Sequence, residues 1–141
     1  MKQVNWGIIG LGNIALKFAE AFKNLNNSKL LGISSKDMNK IEQYKKEFKI
    51  NKDYCFDNYE ELLKCNDIDI VYIALPNSLH YEIIIKAIEN KKKILVEKPV
   101  TSSFAQIKDI KDKHYNKNLF FAEAFMYRYH PQILNVIDLI N

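Results

Sequence analysis

The sequence predicts an α/β fold, a doubly wound and mostly parallel sheet of about six strands with helices on both faces. Three observations carry that prediction. Short apolar runs rich in β-branched residues alternate with stretches whose apolar positions recur every three or four residues. Each strand-like run is apolar along its length, the pattern of strands covered on both faces. The four glycines, Gly7, Gly10, Gly12 and Gly32, all lie in the first quarter of the chain, whereas Pro76 and Pro99 each end an apolar run.

Residues 4–9, an apolar run broken by Asn5 and Gly7, read as the first strand. A helix follows over about 14–25, with Ile14, Phe18, Ala21, Phe22 and Leu25 on one stripe. Residues 30–34 form a second strand, and Asp37 is placed to cap a helix reaching about residue 48. The alternation repeats with a strand over 54–56, a short helix from Tyr59, a strand over 68–75, a helix over 79–89 and a strand over 93–97. Asn90 takes the position where a left-handed residue ends a helix. A helix over 104–114, a last strand over 119–123 and a final helix from Pro131 complete the order. Parallel sheets bind ligands at the carboxyl ends of their strands. Glu97, Lys98 and Pro99 stand at such an end, directly after the apolar residues 94–96.

The 141 residues suffice for one domain with a real core. A hydrophobic fraction of 48% and a charged fraction of 27% are ordinary for a water-soluble chain. No apolar run approaches the roughly 20 residues that cross a bilayer, so no membrane partner is expected. The amino end lacks an apolar core and cleavage site of an export signal, which makes the cytoplasm the expected compartment. Cys55 and Cys65 sit on separate segments without a CxxC or Cys/His cluster, so they are read as buried or partly buried thiols and neither a metal site nor a redox pair is expected. The net charge of +4 comes from scattered lysines and a single arginine, Arg128. Nucleic-acid binders concentrate charge and favour arginine, so nucleic acid is not an expected partner.

The stretch GIIGLGNIA places Gly10, Gly12 and Ala15 in the spacing GxGxxA between the first strand and its helix. Gly10 permits a tight turn, Gly12 lets backbone approach a pyrophosphate, and Ala15 allows close helix packing. The first helical amides, at Asn13 and Ile14, then face the phosphates with the positive end of the helix dipole. A plain tight turn is the alternative. An acidic residue is expected some 20 positions on to bind an adenosine ribose. The chain has Ser34, Ser35 and Lys36 instead, two hydroxyls and an ammonium that suit a 2′-phosphate. NADP is therefore expected, with NAD as the alternative if Asp37, one position further, takes the ribose rather than the helix cap.

With that turn, ALPNSLHYE (74–82), VEKPV (96–100) and EAFMYRYHPQ (123–132) in this order, the chain resembles the Gfo/Idh/MocA family of NAD(P)-dependent oxidoreductases along essentially its whole length. The last segment is most similar to the dihydrodiol and sugar dehydrogenase branch. The resemblance implies a Rossmann-type domain over 1–130, with 131–141 starting a helix that links to a carboxyl-terminal substrate domain. It implies hydride transfer between a nicotinamide cofactor and a secondary alcohol or carbonyl carbon of a sugar, polyol or dihydrodiol. In this reading Lys98 is the active-site amine, with a surface lysine after a strand as the alternative, Glu97 lies beside the cofactor, and Pro99 sets a turn, often with a cis bond before it. A lysine beside a cationic ring and partly desolvated favours its neutral form and so takes or relays a proton. Leu75, Pro76 and Asn77 match the loop along the cofactor, with Leu75 where many relatives have a small residue or threonine. His80 approaches the nicotinamide ribose in this reading; a polar residue opening the next helix is its bland alternative.

Arg128 carries its own reason. In a chain built on lysine, a lone arginine is read as marking a need for a planar, multidentate donor, and the resemblance puts it near the cofactor; structural pairing is the alternative. On a strand exit, Tyr127 and Tyr129 would point away from it. His130 is assigned to the start of the final helix and His114 to a solvated helix end. Half of an enzyme with little activity alone is the first reading. A stand-alone dinucleotide-binding or sensing module acting with a partner chain is the second; separately, a homo-oligomer or other association is expected through the face a second domain would cover. A structural relic without nucleotide affinity is the third.

Overall fold

The computed structural model describes residues 3–115 and 120–140. Six parallel strands, β1 (Val4–Ile9), β2 (Ser28–Ser34), β3 (Cys55–Phe56), β4 (Ile70–Ile73), β5 (Lys93–Val96) and β6 (Phe121–Glu123), form one sheet in the order β3-β2-β1-β4-β5-β6. The chain winds outward from β1 to β3 on one side and from β4 to β6 on the other. The order therefore reverses between β1 and β4, which opens a crevice at their carboxyl ends.

The helices are α1 (Asn13–Ala21), α2 (Met38–Phe48), α3 (Tyr59–Lys64), α4 (Asn77–Glu89), α5 (Phe104–Tyr115) and α6 (Pro131–Ile140). On one face, Ile8, Ile33 and Tyr72 pack with Ala15 and Ala19 of α1 and with Ile41 and Tyr44 of α2. On the other, Ile9, Val71, Ile73 and Val96 meet Leu62 of α3, Ile84 and Ile88 of α4 and Ile110 of α5. Ile8 and Ile9 are both fully buried although neighbours in a strand point to opposite faces. That double cover is the reason the strands read as unbroken apolar runs.

Several boundaries differ from the sequence reading. The α1 helix stops at Ala21, and Phe22–Asn24 continue as a 3-10 turn. The α4 helix begins at Asn77, two residues early, because Pro76 fixes the entry and its missing N–H costs nothing there. Asn90 is not the left-handed residue; Lys91 is, at φ 56°. Lys91 N then donates to Ile88 O at 3.0 Å and Lys92 N to Ala87 O at 2.9 Å, the paired bonds that close a helix in a Schellman motif. That register buries Lys92, whose ammonium donates to Cys65 O at 2.6 Å and Ile68 O at 2.7 Å. Burial holds its pKa below the usual lysine range. Of the last expected strand, residue 119 lies outside the described residues, as do the side chain of His114 and residue 141. No helix among the described residues is long and apolar enough to cross a membrane. Among the same residues no group of His, Cys, Asp and Glu could hold a metal, and both cysteines are free and half-buried.

Candidate functional site: a cleft at the strand ends

The crevice is built on the glycine turn. Gly10 has φ 90°, and a Cβ there would stand 2.6 Å from Ala74 O, so the exits of β1 and β4 touch only because no side chain intervenes. A Cβ at Gly12 would meet nothing within 4 Å, which leaves open space over the start of α1. Gly12 is the N-cap of α1 and supplies no capping side chain, and the first turn carries no acidic residue. Helix-start amides such as those of Asn13 and Ile14 have no intrahelical acceptor, so an anion fits this end. The turn is braced from α2, where Tyr44 Oη donates to Gly12 O at 3.1 Å. The cradle fits the pyrophosphate of a dinucleotide, with open approach, unmatched amides and no competing carboxylate.

At the exit of β2, Ser34 is fully buried and its Oγ has no hydrogen-bond partner among the described residues. Ser35 Oγ accepts from Asp37 N at 3.1 Å. The Asp37 carboxylate accepts from Asn39 N at 3.0 Å and Lys40 N at 3.4 Å, which makes it the cap of α2. Lys36 is exposed, its Nζ 5.8 Å from the Tyr59 ring centroid, and it borders a hollow of about 440 Å³ shared with Asn58, Tyr59 and Leu79.

The exits of β4, β5 and β6 enclose a second cleft of about 660 Å³, lined by Ile14, Leu75, Asn77, Glu97, Lys98 and Tyr127 among others. Residues far apart in sequence meet here because four parallel strands end on one edge. Glu97 is half-buried and Lys98 is exposed at the rim, so the chain's own residues do not supply the desolvation expected for that amine. The Lys98–Pro99 bond is cis. The turn is held by Glu123 Oε1, which accepts from Val100 N at 2.9 Å. Glu97 is itself held: Tyr72 Oη donates to its Oε1 at 2.5 Å and Lys98 N to its Oε2 at 3.3 Å.

Two expectations need correction. His80 is fully buried, with Nε2 2.8 Å from Leu75 O and Nδ1 2.9 Å from Pro99 O. It ties the loop after β4 to the turn after β5 and does not line the cleft. Its place in the first turns of α4, next to the sheet, aims the ring inward under both loops. Arg128 sits in a 3-10 turn, Met126–Tyr129, rather than on an extended strand exit. The strand alternation therefore does not apply: Tyr127 lines the 660 Å³ cleft and Tyr129 a neighbouring hollow, while exposed Arg128 lines neither. His130 Nδ1 accepts from Gln132 N at the start of α6, as expected. Tyr44, Tyr72 and Glu123 had no sequence signal as site residues. Each acts through one hydrogen bond to a partner at least 23 residues away.

Residues 4–125 match the model of an oxidoreductase family with an NAD-binding Rossmann fold, Gfo/Idh/MocA. The trans-1,2-dihydrobenzene-1,2-diol dehydrogenase of Xenopus tropicalis is 31% identical over 128 residues, covering 89% of this chain and 38% of that protein. A D-xylose 1-dehydrogenase (NADP(+)) of Haloferax volcanii is 30% identical over 135 residues, covering 96% and 41%. Among solved structures, apo scyllo-inositol dehydrogenase from Lactobacillus casei superposes with a TM-score of 0.93 at 25% identity, over 99% of this chain and 41% of that one. A 3-ketoreductase from Actinomadura kijaniata in complex with NADP and TDP-benzene gives 0.89 at 28% identity, over 99% and 42%. The chain thus spans about two-fifths of the length of these relatives. With the glycine cradle, the parallel sheet and the cleft at its switch point, this match makes the chain a member of the Gfo/Idh/MocA oxidoreductase family, within its NAD(P)-binding Rossmann fold.

Proposed function

We propose that this chain is the cofactor-binding part of an NADP-preferring oxidoreductase that acts on a secondary alcohol or carbonyl carbon of a sugar, polyol or dihydrodiol. The observation that carries the proposal is the convergence of Ile14, Leu75, Asn77, Glu97 and Lys98 on one 660 Å³ cleft beside the glycine cradle. Gly10, Gly12, Asn13 and Ile14 would hold the pyrophosphate, and Leu75, Pro76, Asn77 and Glu97 the nicotinamide half. His80 contributes by fixing two of the loops. Arg128 is kept only as a rim residue. A bound nicotinamide supplies the hydride acceptor or donor. In its neutral form, which a covering substrate-binding part would favour by desolvation, Lys98 Nζ would take the hydroxyl proton as the carbinol C–H is given up as hydride to the nicotinamide, and would return it in the reverse direction.

The preference for NADP is supported by the β2 exit. Lys36 presents an exposed ammonium, and Asp37 is occupied by the α2 cap and so does not offer its carboxylate to a ribose; Asp57, Glu60 and Glu82 share the hollow that Lys36 borders. The substrate class follows the named activities of the similar proteins. Residues 131–141 would lead toward a substrate-binding part or a second copy. Leu134, Val136, Ile137, Leu139 and Ile140 of α6 are all exposed, and an apolar helix face of that kind favours association. The cytoplasm is the proposed compartment.

Calorimetric titration with NADPH and NADH tests the proposal. NADPH is expected to bind at least about tenfold tighter, since a charge-assisted contact contributes roughly 1.5–3 kcal/mol. Lys36→Ala should remove most of that difference. Equal or tighter binding of NADH by the unaltered chain would refute the NADP assignment. In the enzyme that contains this part, Lys98→Ala should abolish turnover and leave cofactor affinity nearly unchanged.

A further inference from the structure

Tyr72 is the one tyrosine of the β4 strand and lies with Ile8 and Ala15 on the α1 side of the sheet. It pairs in register with Leu95 of β5, and Glu97, two residues beyond Leu95, returns to the same side. This register brings the phenol and the carboxylate together: Tyr72 Oη donates to Glu97 Oε1 at 2.5 Å. The Tyr72 ring is 2% exposed and stacked on Phe18 with centroids 4.0 Å apart, so the hydroxyl cannot swing away. Burial, reinforced by the bond to Glu97, drives its pKa far above the usual tyrosine range, so it stays a donor. Glu97 Oε2 accepts from Lys98 N at 3.3 Å, so both carboxylate oxygens are held. Among the residues lining the 660 Å³ cleft, Glu97 is the one carboxylate.

We propose that Tyr72 is a positioning residue that locks Glu97 as a fixed anion at the nicotinamide end of the cleft, so that the site favours the oxidised cofactor over the reduced one. This role presupposes the cofactor cleft proposed above. The physical reason is charge: the nicotinamide ring is cationic when oxidised and neutral when reduced, and only the cation gains from a nearby immobile carboxylate in a half-buried site. A carboxylate free to rotate toward water would lose most of that distinction.

The test is titration calorimetry of four chains, unaltered, Tyr72→Phe, Glu97→Gln and the double variant, each with NADP+ and with NADPH. Phenylalanine keeps the ring on Phe18 and removes only the hydroxyl, and circular dichroism melts establish that each variant is folded. Tyr72→Phe is expected to weaken NADP+ by about tenfold and NADPH by less than about twofold, the scale of a lost charge-assisted contact. Glu97→Gln should weaken NADP+ selectively to at least the same degree. Adding Tyr72→Phe to it should change neither affinity further. Equal loss for both cofactor forms, or a Tyr72 effect that persists in the Glu97→Gln background, would overturn the positioning role and leave the cofactor cleft standing. If the folded unaltered chain bound neither form, the cofactor cleft itself would fall and the role of Tyr72 with it. Should Tyr72→Phe prove unstable, Glu97→Gln still decides: equal loss of NADP+ and NADPH in that variant would overturn the proposal.

Discussion

Replacing Gly10 and Gly12 by alanine, one at a time, should separate fold from binding. At Gly10 the backbone φ is 90°, and the added Cβ would lie 2.6 Å from Ala74 O and 2.8 Å from Leu75 Cδ2. The positive φ costs roughly 1–2 kcal/mol for an L-residue. Moving the exit of β4 to relieve the overlap adds roughly 1–3 kcal/mol. The total of about 2–5 kcal/mol is a large part of the 5–15 kcal/mol that holds a typical domain together. For a chain of this size the melting temperature should fall by roughly 10 °C or more. Gly12 differs although it is two residues away. Its φ is an ordinary −90°, and the new methyl meets nothing within 4 Å. A weaker N-cap and a stiffer unfolded chain oppose each other, so stability should change by less than about 1 kcal/mol. The methyl would instead occupy the approach to the helix amides, and dinucleotide affinity should drop by about tenfold or more. Urea and thermal unfolding followed by circular dichroism give the first quantity, and titration calorimetry gives the second. Equal destabilisation by the two variants, or full affinity in Gly12→Ala, would refute the division of labour.

Asp37→Ala removes both acceptor bonds at the start of α2 and should cost about 1 kcal/mol. The preference between NADPH and NADH should not move; a selective collapse of NADH binding would instead put Asp37 on the ribose. Tyr44 should titrate late. Burial, with the charge of Glu47 adding to it, pushes its pKa from 10.0 up to about 12. Because the folded value is raised, its contribution to stability is full below about pH 10 and is lost as pH rises through about 12. Tyr44→Phe should flatten that part of the stability profile between pH 9 and 12, measured by urea unfolding. An unchanged slope would show that another group carries the alkaline loss.

Much of the fold was legible because it rests on local rules. Asp37 opening a helix, Pro76 and Pro99 ending strands, and the spacing of Gly10, Gly12 and Ala15 each follow from backbone chemistry within a few residues. The errors came where one residue decides a conformation that several could take. Asn90 had the better left-handed propensity, yet Lys91 took that position, and the helix end so registered buries Lys92 against Cys65 O and Ile68 O. The extended exit expected for Tyr127 to Tyr129 became a 3-10 turn, which redirected Arg128.

The sequence by itself determined the α/β order, the parallel sheet and which residues stand at the strand ends, because hydrophobic period and glycine or proline punctuation act over a few neighbouring positions. Only the tertiary structure decided how those residues are held. Tyr72 reaches Glu97 across 25 residues, His80 reaches Pro99 across 19 and Tyr44 reaches Gly12 across 32. Strand register and helix packing choose such partners, and each bond depends on a few tenths of an ångström in three dimensions that one-dimensional spacing does not encode.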